Sequence, residues 1–174
     1  MKVIIILDQI QAGLGGKERA DTPFGGKKIA MGSADNVERA LADVDGKIIG
    51  TFYCGTSYFL EHKDVVQEKF AKMAQKMAAD VVIVGPTFDY TEFAEMAGSL
   101  GSYISKATTI PVIGQMAQEK NEAIISQYQD QFLIVKMPKK GAAGLTEALQ
   151  NLAQGCKLLA SGADTAEFKQ QSCY

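Results

Sequence analysis

"VIIILDQIQAGLGGKERAD", residues 3 to 21, decides how the chain is read, because an unbroken apolar run gives way to glycines without any alternating stretch between them. Continuous hydrophobicity over Val3 to Leu7 is what a strand covered on both faces requires, and such strands belong to parallel sheets. Gly13, Gly15 and Gly16 then fall where a nucleotide-binding protein places its phosphate turn. The dinucleotide fingerprint needs glycine where Glu18 stands. The Walker pattern needs glycine where Gln11 stands and a hydroxyl residue at Glu18. Both fail, and the segment reads as a mixed-charge loop behind a first buried strand.

Runs of the same kind recur at 47 to 54 ("KIIGTFYC"), 80 to 86 ("DVVIVGP") and 131 to 137 ("QFLIVKM"), with a shorter one, "IPVIGQM", at 110 to 116. Between them, apolar residues keep helical spacing. Val66, Phe70, Met73 and Met77 form one stripe, Phe93, Met96, Leu100 and Ile104 a second, and Leu145, Leu149, Leu152, Cys156 and Leu159 a third. Weaker helices are expected over about 34 to 43, with Ser33 or Asp35 near the N-cap, and over about 118 to 128. Strand and helix therefore alternate, which predicts an α/β fold. The expected form is a three-layer, open, mainly parallel five-stranded sheet with helices on both faces, flavodoxin-like or Rossmann-like. A single domain over 1 to 162 and a loose tail over 163 to 174 complete the expected organisation.

The charges, 18 Lys and Arg against 20 Asp and Glu, nearly balance and are interspersed, which argues against a nucleic-acid partner. The first apolar run is too short for a signal peptide or a membrane span, so a cytoplasmic protein is expected. Three scattered cysteines and the lone His62 suggest neither a disulfide framework nor a metal site. A homo-oligomer stays open.

Right-handed crossovers bring the C-terminal ends of parallel strands to one rim, where ligands of open α/β sheets bind. That rim collects Asp8 and Gln9 with the glycine segment, Cys54 with "GTSYF", Thr87 with "FDY", Gln115 with Met116, and "PKKGAAG" at 138 to 144. Gly141 and Gly144 precede a helix, so their N–H groups could meet an anion beside Lys139 and Lys140. Asp8 and Asp89 end strand regions and read as ligand-binding carboxylates or as turn caps. Cys54 reads as a reactive thiol or as a small residue packed at a strand end. Cys156 lies on a helix stripe, and Cys173 reads as an exposed thiol. Glu92 and Glu95 read as charges that complement the dipole of their helix. Flavin binds this rim in flavodoxin-like domains, yet no aromatic pair or Ser/Thr-rich loop follows the first strand, so no cofactor is expected.

Taken together, "LDQIQAGLGGKERAD", "YCGTSYF", "ADVVIVGPTFDYTEFAEMAG", "IPVIGQM" and "FLIVKMPKKGAAGLTEAL" resemble, in order and spacing, the selenoprotein subunit of component B of glycine, sarcosine and betaine reductase. The resemblance covers nearly all of these residues and is expected to represent the first half of the family's chain. It implies an oxidoreductase subunit of amino-acid-fermenting anaerobes that cleaves the C–N bond of glycine or an N-methylated relative. In that family a selenocysteine from the second half attacks the activated carbon, so the resemblance implies a partner carrying the selenol or a thiol. Thr56 and Ser57 depart from the family pattern, which has an acidic and an amide residue there, and "DYTE" at 89 to 92 replaces a more neutral stretch. The expected role is a pocket for a small carboxylate-bearing, amino-acid-type ligand, formed by Asp8, Gly13, Gly15, Gly16, Thr87, Asp89, Lys139, Gly141 and Gly144. A stand-alone ligand-binding or regulatory protein is the alternative, and an enzyme relying on Cys54 would need a base that the sequence does not show.

Overall fold

The computed structural model describes residues 1–174 and contains one sheet of six strands. Five are parallel: β1 (Lys2–Asp8), β3 (Lys47–Cys54), β4 (Val81–Val84), β5 (Val112–Ala117) and β6 (Leu133–Met137). These are the five apolar runs of the sequence. The sixth strand, β2 (Gly25–Lys27), is a correction to the expected five. It pairs antiparallel with β3, Gly25 opposite Tyr53 and Lys27 opposite Thr51. Three residues without an apolar pattern gave no strand signal, and only the neighbouring strand makes them one.

The spatial order is β2-β3-β1-β4-β5-β6, so chain order reverses between β1 and β4. The connection from β1 to β3 runs through α1 (Ala34–Ala42), and that from β3 to β4 through α2 (Thr56–Glu61) and α3 (Lys63–Lys76). Those two connections step in opposite directions, so right-handedness puts their helices on opposite faces. α4 (Thr91–Ala107) and α5 (Glu122–Tyr128) follow β4 and β5, and α4 packs on both α3 and α5. α6 (Leu145–Ser161) instead packs on α1. The sheet is thus covered on both sides, and Val3, Ile4, Ile5, Val81, Val82 and Ile83 are all inaccessible to solvent. That burial is why these strands carry no polar face.

The stripe of α4 is buried as expected at Phe93, Met96, Leu100 and Ile104. On α3 the expected stripe breaks, since Met73 is 40% exposed while Ala71 and Ala74 face the core. α2 was not expected at all: it is six residues long and begins after Gly55, which offers no side-chain cap. Residues 163–174 are not a loose tail. α7 (Ala166–Ser172) buries Phe168, Cys173 bridges Val135 of β6, and the Tyr174 hydroxyl donates to the Met116 carbonyl at 3.0 Å. Cys173, expected to be exposed, is buried. No helix is long and apolar enough to cross a membrane.

Candidate functional site

At the reversal between β1 and β4 the rim opens into a cleft of about 660 Å³. Asp8, Gln9 and Ile10 line it from the end of β1, Thr56, Ser57, Phe59 and Leu60 from α2, and Asp89 to Phe93 with Glu95 and Met96 from the turn into α4 and its first turns. Lys17, Lys63, Lys120 and Tyr128 reach it from four further places in the chain.

Asp8 is 1% exposed, and its Oδ1 accepts the Gln11 N–H at 2.7 Å. Burial pushes its pKa up to about 6, with the Glu92 charge acting the same way and the Gln11 N–H opposing. No cation pairs with it: the structure's two ion pairs are Lys72 with Glu68 and Lys120 with Asp89. A desolvated carboxylate facing a cleft without a counter-ion is poised to take a proton or a cationic ligand group.

Asp89 also lines the cleft, in the opposite electrostatic condition. Its Oδ1 accepts the Lys140 N–H at 2.9 Å and its Oδ2 lies 3.3 Å from Lys120 Nζ. The Lys140 N–H, followed by the Lys120 ammonium, holds its pKa below the ordinary carboxylate value. The loop that the sequence offered as an anion cradle is therefore served, at Lys140, by a carboxylate of the chain itself. Lys140 Nζ lies 4.8 Å from the centre of the Phe88 ring. Lys139, Gly141 and Gly144 are exposed and do not line the cleft. Thr87 is fully buried, and its hydroxyl donates to the Phe88 carbonyl. Of the residues expected to share a site, the structure brings together only Asp8 and Asp89.

The glycine segment has a different task. Ala20 O accepts the N–H groups of Ser57 and Tyr58, Thr22 O accepts that of Gly55, and Gln9 Oε1 accepts that of Thr56. Every N–H at the start of α2 is thus occupied by the chain, which leaves none for a phosphate. Gln9 Nε2 reaches back to Gly16 O at 3.4 Å, so this buried amide ties the segment to α2. The approach is close enough that a Cβ on Gly55 would collide with the Ala20 carbonyl. Gly13, Gly15 and Gly16 themselves stand outside the cleft, to which the segment contributes Lys17 and Ala20.

Cys54 is completely buried, and burial pushes its thiol up to about 12. It is not among the residues that line the cleft and belongs to the apolar core, so the packing reading fits its surroundings. Cys156 is raised by burial as well, and Cys173 reaches about 11. Sequence reasoning missed Lys17, Lys63, Lys120 and Tyr128 as cleft residues. No local pattern marks them, since only the fold brings them together. Glu92 stands in the first turn of α4, where it complements the helix dipole, and its charge also bears on Asp8.

A family model described as glycine/sarcosine/betaine reductase selenoprotein B matches residues 1–174. The chain belongs to that family. It is 27% identical over 163 residues to the glycine reductase complex component B subunit gamma of Peptoclostridium litorale, covering 93% of this chain and 36% of that protein. It is 25% identical over 154 residues to the sarcosine reductase complex component B subunit beta of Peptoclostridium acidaminophilum, covering 88% and 34%. The glycine reductase subunit gamma of Carboxydothermus hydrogenoformans is 26% identical over 159 residues, covering 91% and 36%. The chain therefore spans about a third of the length of the curated relatives it matches, less than the half expected. No solved structure matches it.

Proposed function

We propose that this chain supplies the pocket for a small amino-acid-type substrate in an oxidoreductase of the glycine, sarcosine and betaine reductase type, with the selenol or thiol supplied from outside these 174 residues. Counted along the parallel strands alone, the order β3-β1-β4-β5-β6 is 2-1-3-4-5, the arrangement of flavodoxin-like sheets. Ligands of such sheets bind where the order reverses, and the cleft lies there.

The observation that carries the reading is Asp8, a buried carboxylate at the cleft with no cation beside it. A ligand's cationic nitrogen would complete the pair and draw the carboxyl into its ionised form. Lys17 and Lys63 stand in the same cleft without a salt-bridge partner and suit the ligand's carboxylate. This arrangement fits a small zwitterion, and the three compounds in the family description are small zwitterions. The substrate's carboxylate thus meets lysine side chains in place of the amides of Gly141 to Gly144. The buried thiols support a chain that does not cleave C–N bonds alone.

Titration calorimetry with glycine, sarcosine, betaine and acetate tests the reading. At least one of the three zwitterions should bind, acetate should not, and Asp8→Asn should weaken binding about tenfold or more, roughly 1.4 kcal/mol. Acetate binding as well as the zwitterions, or an Asp8→Asn variant with unchanged affinity, would overturn it. Incubated alone with a dithiol, the chain should release no amine. The stand-alone binding protein shares this cleft, and a relative's selenol-bearing subunit that restores turnover separates the two readings.

A further inference from the structure

The two edges of the sheet are treated differently. β6 is covered: Cys173 bridges Val135, and the Tyr174 N–H donates to the Ile134 carbonyl at 3.1 Å. β2, at the far edge, has β3 on one side and no strand on the other. Beside it, between β2 and α3, runs a groove of about 350 Å³ that is separate from the cleft. Its floor is aromatic, with Phe70 5.2 Å from Phe52 and edge-on to Phe24 at 6.1 Å. Met73 lies open along the α3 side.

Lys27, Lys28 and Lys69 are all exposed around this groove, and no carboxylate is among its ten lining residues. That is a local excess of positive charge on a chain whose net charge is −2. We propose that the groove docks an extended acidic segment of a partner protein, which joins β2 as a further strand. Strand addition draws affinity from main-chain hydrogen bonds, while alternate side chains enter pockets. Gly25 and Gly26 carry no side chains that would cover the strand, and the lysines, which repel a like-charged edge, would pair with the partner's carboxylates. A second copy of this chain is disfavoured, because two such edges would set lysine against lysine. A nucleic acid is disfavoured by the apolar floor. Occupancy would be felt at the cleft, since Phe24 lies 6.3 Å from Tyr58 of α2, the helix that walls it.

The test is fluorescence anisotropy with the full chain and a fluorescein-labelled peptide alternating glutamate with valine or phenylalanine. Its controls are a lysine-for-glutamate peptide and an oligothymidylate. The glutamate peptide should saturate in the micromolar range, the controls should not, and Lys27→Glu with Lys69→Glu should weaken binding about tenfold or more. Amide exchange at residues 25 to 28 should slow in the complex. Absence of saturation, indifference to the charge reversal, preference for the oligonucleotide, or self-association through this face would each overturn the proposal. All four are independent of whether the cleft binds an amino acid.

Discussion

Asp8 and Asp89 end neighbouring stretches of one rim and line one cleft, yet burial raises the first to about 6 while hydrogen bonds hold the second below its ordinary value. Asp89 has a backbone N–H from Lys140 and an ammonium from Lys120. Asp8 has the Gln11 N–H and the unfavourable Glu92 charge. One anion site is complete within the chain, and the other lacks its cation. The unfinished site is the one that has use for a ligand, and the cost of leaving it unfinished is borne by stability.

The sharpest break of that comparison is Asp8→Asn. Because the folded pKa is raised from 3.8 to about 6, the native state prefers the protonated carboxyl. Its stabilising effect is full below the unfolded value and is lost as pH rises through about 6, leaving a penalty of about 3 kcal/mol. Asparagine keeps an oxygen for the Gln11 N–H and carries no charge. Urea denaturation at pH 7.5 should therefore show the variant more stable by roughly 1–3 kcal/mol, with a flatter stability profile between about pH 4 and 7.

Asp89→Asn should act in the opposite direction and more weakly. A carboxylate with a depressed pKa contributes stability that is present above its unfolded value and is lost as pH falls through the lower, folded value. Weakening the Lys140 and Lys120 contacts should cost about 1 kcal/mol at pH 7, read in the same denaturation experiment.

The loop beyond Asp89 offers a comparable but chemically silent test. Gly144 has φ +99° at the start of α6, and an alanine there should cost about 1 kcal/mol through the backbone alone. Its Cβ would meet nothing within 4 Å, so amino-acid affinity should stay unchanged. A loss of affinity in Gly144→Ala would return the loop to the site. The smallest expected effect is on the thiols. With Cys54, Cys156 and Cys173 all buried, less than one thiol per chain should react with a disulfide reagent before unfolding.

The parallel strands were legible because a strand buried on both faces must be apolar at every position, as in Val81–Val84. β2 was not legible, since Gly25, Gly26 and Lys27 owe their conformation to Tyr53, Phe52 and Thr51 across the ladder. α7 was missed because Phe168 alone anchors it, and one aromatic residue makes no period. At the site, Asp8 and Asp89 stood out as carboxylates closing strands. Which of them was free could not be read, because the N–H that satisfies Asp89 lies 51 residues further along. The glycine segment invited a phosphate reading for the same reason: its carbonyls meet α2 only in the fold.

The most direct test of the unfinished site is an NMR titration of the Asp8 carboxyl carbon, without ligand and with the zwitterion that binds in calorimetry. The carboxyl should titrate near pH 6 in the free chain and shift to lower pH when a cationic nitrogen pairs with it. A free-chain midpoint near 3.8 that the ligand leaves unmoved would contradict the assignment of the cleft to Asp8.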